Sequence, residues 1–318
     1  MLHSRASYTW ARRFGAAAAL SAVLAGCSAS TTLPPSVATV RSGSSAARSA
    51  GRLSPDARRH RKGFIYWGNF DTSTITVYSA RGLNGNKEGQ ITAGLSNPQR
   101  LFVDAAHNLY ATNIGNDTIV AYQQGQTSPF LTISAGVNSP TGVTVDAAGT
   151  VYCANAENNT ITVYPHGQTS PTLTIRLFAT PEYLATDASD NLYVSVGTWV
   201  YEYVPGATTG KNLGLNVSAP GALEVDKAGN LIVLDRNTID YFPAGSTQPS
   251  KQIKVTAGVP FAFSLSADEK TLYVSVNHGK AYVIQEISYP NGTALTNKLT
   301  TNAGDWPLAV SPDNVLGG

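Results

Sequence analysis

The sequence lacks the patterns that mark most catalytic and metal-binding sites. It contains only two cysteines and five histidines. It has no Cys-x-x-Cys pair, no glycine-rich phosphate loop and no Ser-His-Asp or Cys-His constellation. The histidines show no metal-ligand spacing, and the region from residue 63 onward shows no sustained helical period. These shortages argue against the common hydrolase and redox sites and against a helical fold.

Six near-copies of one phrase fill the chain from residue 65 onward, at steps of 44, 42, 41, 39 and 41 residues. Each copy has a Pro followed by an apolar stretch and an Asp, then a Leu-Tyr segment, then Thr-Ile with an aromatic residue three positions later. Alternating side chains between Gly, Pro, Asn and Asp junctions indicate strands and turns. This period predicts an all-β, six-bladed propeller of four-stranded antiparallel blades. The copies begin at Ile65, Leu109, Val151, Leu192, Leu231 and Leu272.

The two ends of the repeat region predict how the ring closes. The region opens at a second strand, Phe64 to Trp67, and closes at an inner strand, Leu308 to Ser311. The C-terminal strand should therefore join the N-terminal blade. Such closure protects the strand edges that an open array exposes.

The first 62 residues predict a targeting segment and a tether. Residues 1–27 have a basic start and an apolar run too short to span a bilayer, which indicates a secretory signal. The Leu-Ala-Gly-Cys ending at Cys27 resembles the lipobox of bacterial lipoproteins, and this implies cleavage before Cys27 and its lipidation. An ordinary signal with a coincidental cysteine is the alternative. Residues 28–62, rich in Ser, Ala, Thr and Arg, predict a disordered tether, and residues 63–318 the propeller.

We therefore expect a lipid-anchored protein of the bacterial cell envelope, on the periplasmic or surface side. The lack of an Asp after Cys27 favours the outer membrane over the inner one. Residues 1–62 carry ten Lys and Arg residues and one acidic residue, which gives a net charge of +9. Residues 63–318 carry twelve Lys and Arg residues and nineteen acidic residues, which gives a net charge of −7. An acidic propeller argues against nucleic acid as a partner. With Cys27 lipidated, Cys153 has no disulfide partner and is expected to be a buried apolar thiol.

Two sets of residues are candidates for a ligand site. The slots two and four residues after each Pro are small, as converging blades require, but some hold large or charged residues. Arg100 and Glu224 fall on opposite blades and could both face an axial channel, which would bind a small polar ligand or simply hold water. The second set lies at the rim, where loops usually bind ligands, although Asn and Asp there also suit turns. The channel candidates are Arg100, Tyr183 and Glu224, and the rim candidates are Asn69, Asn113, Asn155, Glu182, Asp235, Phe261 and Trp306.

The phrase from Pro140 to Tyr152 resembles the NHL repeat, and Val151 to Tyr164 is similar to the bacterial YVTN-type repeat. The resemblance covers about residues 63–318 and implies an interaction module without a cofactor, here one that binds a protein, glycan or small ligand. We expect a monomer. The gluconolactonase-like family shares the six-bladed form, and a resemblance to it implies a metal-dependent hydrolase as the alternative. Its calcium or zinc would be held by Glu182, Asn155 and Asp235. Streptogramin lyases depend on axial His and Glu residues, but no His lies on an inner strand here.

Overall fold

The computed structural model describes residues 63–80, 87–256, 258–279, 281–301 and 305–310. The predicted signal peptide, Cys27 and the tether lie outside these residues, as does the side chain of Trp306. Within the described residues, no helix has the length and apolar character needed to cross a membrane. The described part of the chain is built of strands and turns.

The strands follow one another along the chain with short turns between them. They are β1 (Phe64–Asn69), β2 (Thr74–Ser79), β3 (Lys87–Ile91), β4 (Pro98–Val103), β5 (Leu109–Asn113), β6 (Thr118–Tyr122), β7 (Leu131–Ile133), β8 (Pro140–Val145), β9 (Val151–Asn155), β10 (Thr160–Tyr164), β11 (Leu173–Arg176), β12 (Pro181–Thr186), β13 (Leu192–Val196), β14 (Trp199–Tyr203), β15 (Lys211–Asn212), β16 (Pro220–Val225), β17 (Leu231–Asp235), β18 (Thr238–Phe242), β19 (Lys251–Lys254), β20 (Val259–Leu265), β21 (Thr271–Asn277), β22 (Tyr282–Ser288), β23 (Ala294–Thr301) and β24 (Asp305–Val310).

These strands form six four-stranded antiparallel sheets, as the repeat predicts. Blade 1 has the order β24-β1-β2-β3, and blades 2 to 6 each take four consecutive strands, beginning with β4, β8, β12, β16 and β20. In blade 1, Ile65 pairs with Val310, Tyr66 with Ala309 and Trp67 with Leu308. The predicted closure by the C-terminal strand is therefore confirmed.

The first strand of each blade in sheet order lies nearest the axis, and these inner strands form a closed ring. The order around the ring is β24, β4, β8, β12, β16 and β20, and β20 contacts β24 again. Each inner strand enters the ring at its Pro end, which we call the Pro rim. The register of each inner strand against its partner shifts once near the Pro rim, as between Pro98 and Arg100 in β4. This bulge changes the facing of the side chains that follow.

The hydrophobic core lies between neighbouring blades. One cluster joins Tyr110 and Ile119 of blade 2 to Val143 and Cys153 of blade 3. Cys153 is 0% exposed, so the expectation of a buried thiol is confirmed, and burial raises the pKa of this thiol.

The turns that leave the inner strands explain the Asp of the repeat. Asp146 accepts a hydrogen bond from the backbone N–H of Thr150 at 2.7 Å and from the hydroxyl of Tyr152 at 3.0 Å. Asp187 does the same with Asn191 and the Tyr193 hydroxyl. One carboxylate thus holds both the turn and the tyrosine of the following Leu-Tyr strand.

Candidate functional site

The six inner strands enclose an axial cavity of about 290 Å³. This volume is close to the lower end of the range of small-molecule sites. The lining residues start at the level of Arg100 and Tyr183 and continue toward the carboxyl ends of the strands. Most of the wall is apolar, so the polar side chains decide what could bind. The large or polar lining side chains include Arg100, Phe102, Tyr183, Thr186, Glu224 and Ser264.

Arg100 and Tyr183 form a crossbar over the end of the cavity nearer the Pro rim. The guanidinium carbon of Arg100 lies 3.9 Å from the centre of the Tyr183 ring. The Tyr183 hydroxyl donates a 2.7 Å hydrogen bond to the carbonyl oxygen of Phe261. The crossbar therefore links blades 2, 4 and 6. Blades 3 and 5, which lie between them, have glycine near this level, Gly142 and Gly221.

The guanidinium of Arg100 has hydrogen-bonding capacity that the protein leaves unused. One terminal nitrogen donates to the carbonyl oxygen of Gln99 at 2.9 Å. Its Nε is buried and has no hydrogen-bond partner. Burial raises the pKa of the Glu182 carboxyl, and the charge of Arg100 opposes that rise. Glu182 is not among the residues that line the cavity, whereas Arg100 brings a cationic side chain to the end of the cavity nearer the Pro rim.

Glu224 places a carboxyl group on the strand opposite Arg100. Its Oε2 accepts a 2.8 Å hydrogen bond from the backbone N–H of Leu265 on the next blade. Burial raises its pKa to about 7, although hydrogen bonds from Leu265 and Ser264 lower it and the charge of Glu269 raises it further. Near neutral pH this carboxyl therefore exists in both protonation states. A carboxylate has about four lone-pair positions, so capacity remains for a ligand.

The rim candidates at the ends of the second strands bind backbone N–H groups, three of them in loops that enter inner strands and Asn69 in its own turn. Oδ1 of Asn113 accepts the N–H of Ser96 at 3.0 Å, and Oδ1 of Asn155 accepts the N–H of Asn138 at 2.9 Å. The Asp235 carboxylate accepts the N–H groups of Ser218 and Ala219 at 2.8 and 2.7 Å, and Asn69 accepts the N–H of Thr72 at 2.8 Å. These contacts correspond to the alternative interpretation of turn chemistry.

Glu182, Asn155 and Asp235 do not fit a divalent cation. Asn155 is 0% exposed, and its amide nitrogen donates to Thr162 at 3.0 Å while its oxygen accepts a backbone N–H. The Asp235 oxygens each accept a backbone N–H as well. Among the described residues, no group of three or more His, Cys, Asp and Glu could hold a metal ion. The geometry thus offers no support for the metal-dependent hydrolase.

The sequence interpretation missed an exposed aromatic cluster on the Pro rim of blade 4, formed by Phe178, Trp199 and Tyr201. The ring of Phe178 lies 5.8 Å from that of Trp199 and 5.7 Å from that of Tyr201. Phe178 is 61% and Trp199 47% exposed. The sequence did contain a sign of this cluster, because Trp199 occupies the repeat position that holds Thr118 in blade 2 and Thr160 in blade 3. Phe261, another rim candidate, is half-buried against the Tyr282 ring at 6.0 Å.

Comparison with known proteins supports the fold and goes no further. No family model matches the chain, and no curated protein matches it. Among solved structures, the chain is similar to one from a nidogen/laminin complex, with 15% identity and a TM-score of 0.59 over 78% of this chain and 98% of that one. The chain is also similar to a functionally unknown protein from Desulfotomaculum acetoxidans DSM 771, with 14% identity and a TM-score of 0.58 over 79% of this chain and 99% of that one. With Kuenenia stuttgartiensis hydrazine synthase it shares 15% identity, with a TM-score of 0.50 over 67% of this chain and 70% of that one. At such identities the likeness extends to the fold alone: this chain is a six-bladed β-propeller.

Proposed function

We propose that this propeller is a non-catalytic binding module that holds a small polar ligand in its axial cavity. The observation that carries the proposal is the cavity itself, with Arg100 and Glu224 on opposite walls and apolar surface between them. A concave, mostly apolar site with a few convergent polar groups is the usual form of a small-molecule site. The resemblance to NHL and YVTN repeats, which belong mostly to interaction modules, supports a binding role. The ring then serves as a rigid scaffold for the site.

The test is whether a small molecule stays with the protein when the cavity is open and is lost when the cavity is filled. Thr186→Phe places a large ring in the cavity, whereas Thr186→Val keeps the volume and removes the hydroxyl. We expect denatured wild type and Thr186→Val to release a near-stoichiometric small molecule, detected by mass spectrometry. Folded Thr186→Phe should release much less. Equal release from all three chains, or none from wild type, would contradict the proposal.

We further propose that the propeller is displayed on the cell envelope by a lipid on Cys27. The support is the basic-then-apolar order of residues 1–27 and the lipobox-like Leu-Ala-Gly-Cys. Cys27→Ser should move the protein from the membrane fraction to the soluble fraction, while Cys153→Ala should leave it with the membrane. Continued membrane association of Cys27→Ser would refute the anchor.

The aromatic cluster of Phe178, Trp199 and Tyr201 favours a second candidate function, the binding of a glycan at the Pro rim. Exposed aromatic faces suit the apolar faces of sugar rings, and loop surfaces of a rigid ring commonly bind ligands. Chitohexaose and cellohexaose are suitable probes. Binding measured by calorimetry should be lost in Trp199→Ala and kept in Phe130→Ala, which removes an equally exposed ring outside the cluster. Failure of both sugars to bind wild type would remove this candidate.

A further inference from the structure

We propose that the ligand of the axial cavity is a small monocarboxylate whose acid group pairs with Arg100. Its opposite end would donate a hydrogen bond to Glu224, and an apolar body would lie between the two. This inference rests on the proposed function, because it names the class of ligand that the same cavity takes. It is argued from the charged side chains and the walls of the cavity.

The Arg100 side chain is held in place before any ligand arrives. The Tyr183 ring supports one face of the guanidinium, and the Gln99 carbonyl oxygen accepts from one terminal nitrogen. Tyr183 is itself anchored through its hydroxyl to the Phe261 carbonyl. A planar guanidinium fixed in this way presents a fork of donors that matches the two oxygens of a carboxylate. Pre-organisation of this kind lowers the entropy lost on binding.

The charge of Arg100 determines which ligand group complements this end of the cavity. Among the described residues that line the cavity, Arg100 is the only one with a cationic side chain. An anionic acceptor would pair with its guanidinium through a charge-assisted hydrogen bond. Glu182, the acid whose pKa responds to Arg100, does not line the cavity. An incoming carboxylate is therefore the complementary group at this end.

In its ionised form, Glu224 disfavours a second negative charge on the ligand. It faces the same cavity from the blade opposite Arg100, and its carboxyl already accepts from Leu265. A dicarboxylate or phosphate would bring like charges together in a partly buried space, which is unfavourable. A hydroxyl or ammonium at that end would instead donate to Glu224. The residues that line the cavity also include apolar ones, among them Phe102, Leu223 and Phe263, so the body of the ligand should be apolar.

Matched acids and amides separate charge recognition from shape recognition. The probes are hexanoate, benzoate and para-hydroxybenzoate, each with its primary amide, titrated calorimetrically into the purified full chain. We expect one or more acids to bind at least about tenfold more tightly than its amide. Among the aromatic acids, para-hydroxybenzoate should bind more tightly than benzoate, because its hydroxyl reaches Glu224.

The control variant is Arg100→Met, which keeps an unbranched side chain for packing on Tyr183 and removes the charge. Acid binding should fall by about tenfold or more in this variant, with the circular dichroism spectrum and cooperative unfolding retained. If Arg100→Met does not fold, an NMR titration of the wild-type chain that follows the ¹⁵Nε–¹H resonance of Arg100 tests whether the acid binds there. That resonance should shift on addition of an acid and stay unchanged on addition of the matching amide.

The remaining outcomes distinguish the ligand class from the proposed function. If an amide binds as tightly as its acid and Thr186→Phe abolishes both, the cavity is a ligand site and the carboxylate inference is wrong. If no probe binds, the molecule that co-purifies with the protein tests the inference. A co-purifying molecule with a single carboxylate supports the inference, and one that lacks a carboxylate overturns it. If nothing binds and nothing co-purifies, the proposed function itself fails, and the inference fails with it.

Discussion

Asn155 shows how a single buried side chain stabilises a loop of this propeller. Its oxygen accepts from the backbone N–H of Asn138, and its nitrogen donates to the Thr162 and Thr160 hydroxyls at 3.0 and 3.3 Å. Asn69 occupies the same position in blade 1 but is partly exposed, and it accepts from Thr72 within its own turn. The same residue type at one repeat position therefore contributes different amounts, according to burial.

Replacing Asn155 by Ala should lower the free energy of unfolding by about 1–3 kcal/mol, because the Asn138 N–H loses its partner and the Thr160 and Thr162 hydroxyls each lose one of theirs. Asn69→Ala should cost less than about 1 kcal/mol, since water can replace its contact. Urea denaturation of the two variants and wild type measures both values. Equal losses in the two variants would show that burial does not control the contribution of this position. A fall in bound calcium or zinc in Asn155→Ala would instead revive the metal site.

Glu224 gives the protein a pH dependence that can be measured against Glu224→Gln. Its pKa in the folded chain is about 7, compared with an ordinary value of about 4.5. Between these values the folded chain keeps a proton that the unfolded chain has released, so stability decreases as pH rises. The contribution is full below pH 4.5 and is lost as pH rises through 7.

Wild type should therefore lose up to about 3 kcal/mol relative to Glu224→Gln between pH 4.5 and 8, since one pKa unit corresponds to about 1.4 kcal/mol. Gln keeps a carbonyl oxygen for the Leu265 N–H and cannot ionise. Denaturation curves across this range measure the difference in unfolding free energy. A difference that stays constant with pH would show that Glu224 is ionised throughout.

At the scale of strands, local chemistry predicted the blades well. The Pro-to-Asp phrase, the Leu-Tyr segment and the Thr-Ile segment each form a strand, because alternation and turn residues act over a few neighbours. The small slots of the inner strands also have a physical reason in the structure. Ala222, two residues after its Pro, packs in the cluster that contains Phe263 and Val274 of the next blade. Small side chains there allow neighbouring blades to approach.

The crossbar and the aromatic cluster could not be derived in the same way. Arg100 and Tyr183 stood out from the sequence as large residues in small slots, but their contact depends on the reach of Arg100 to a blade two positions away. Trp199 stood out only as a departure from Thr. Trp199 contacts Phe178, which lies in a loop, and no periodic pattern specifies that contact.

Gly142 and Gly221 give a matched test of how tightly the inner strands pack. A methyl group on Gly142 would lie 2.9 Å from the Glu182 carbonyl oxygen of the next blade, whereas one on Gly221 would lie 3.4 Å from the Leu234 carbonyl oxygen. Gly142→Ala should therefore cost about 1–3 kcal/mol, because backbone must move. Gly221→Ala should cost clearly less. Thermal unfolding measures both, and the opposite order would show that blade 3 is free to shift at this level.

At the scale of the whole molecule, the ring depends on a pairing between the two ends of the repeat region. Strand β24 supplies the inner strand of blade 1, and Leu308 and Ala309 are 4% and 3% exposed. They belong to different clusters: Leu308 packs with Ile65 and Tyr273, and Ala309 with Phe64 and Leu101. One strand therefore joins the interface of blades 6 and 1 to that of blades 1 and 2. Its loss should affect both interfaces at once.

A chain that ends at residue 304 should consequently fail to unfold cooperatively, because β1 and the inner edges of blades 6 and 2 lose their partner. A synthetic peptide of residues 305–318, added in excess, should pair with the vacant edge of β1 and restore cooperative unfolding in a concentration-dependent way. The same peptide with Leu308→Asp should not, since a charge would enter a buried cluster. Thermal unfolding followed by circular dichroism measures the cooperativity of the truncated chain alone, with the peptide, and with the Leu308→Asp peptide. Cooperative unfolding of the truncated chain alone would mean that five complete blades and one open blade hold together without closure.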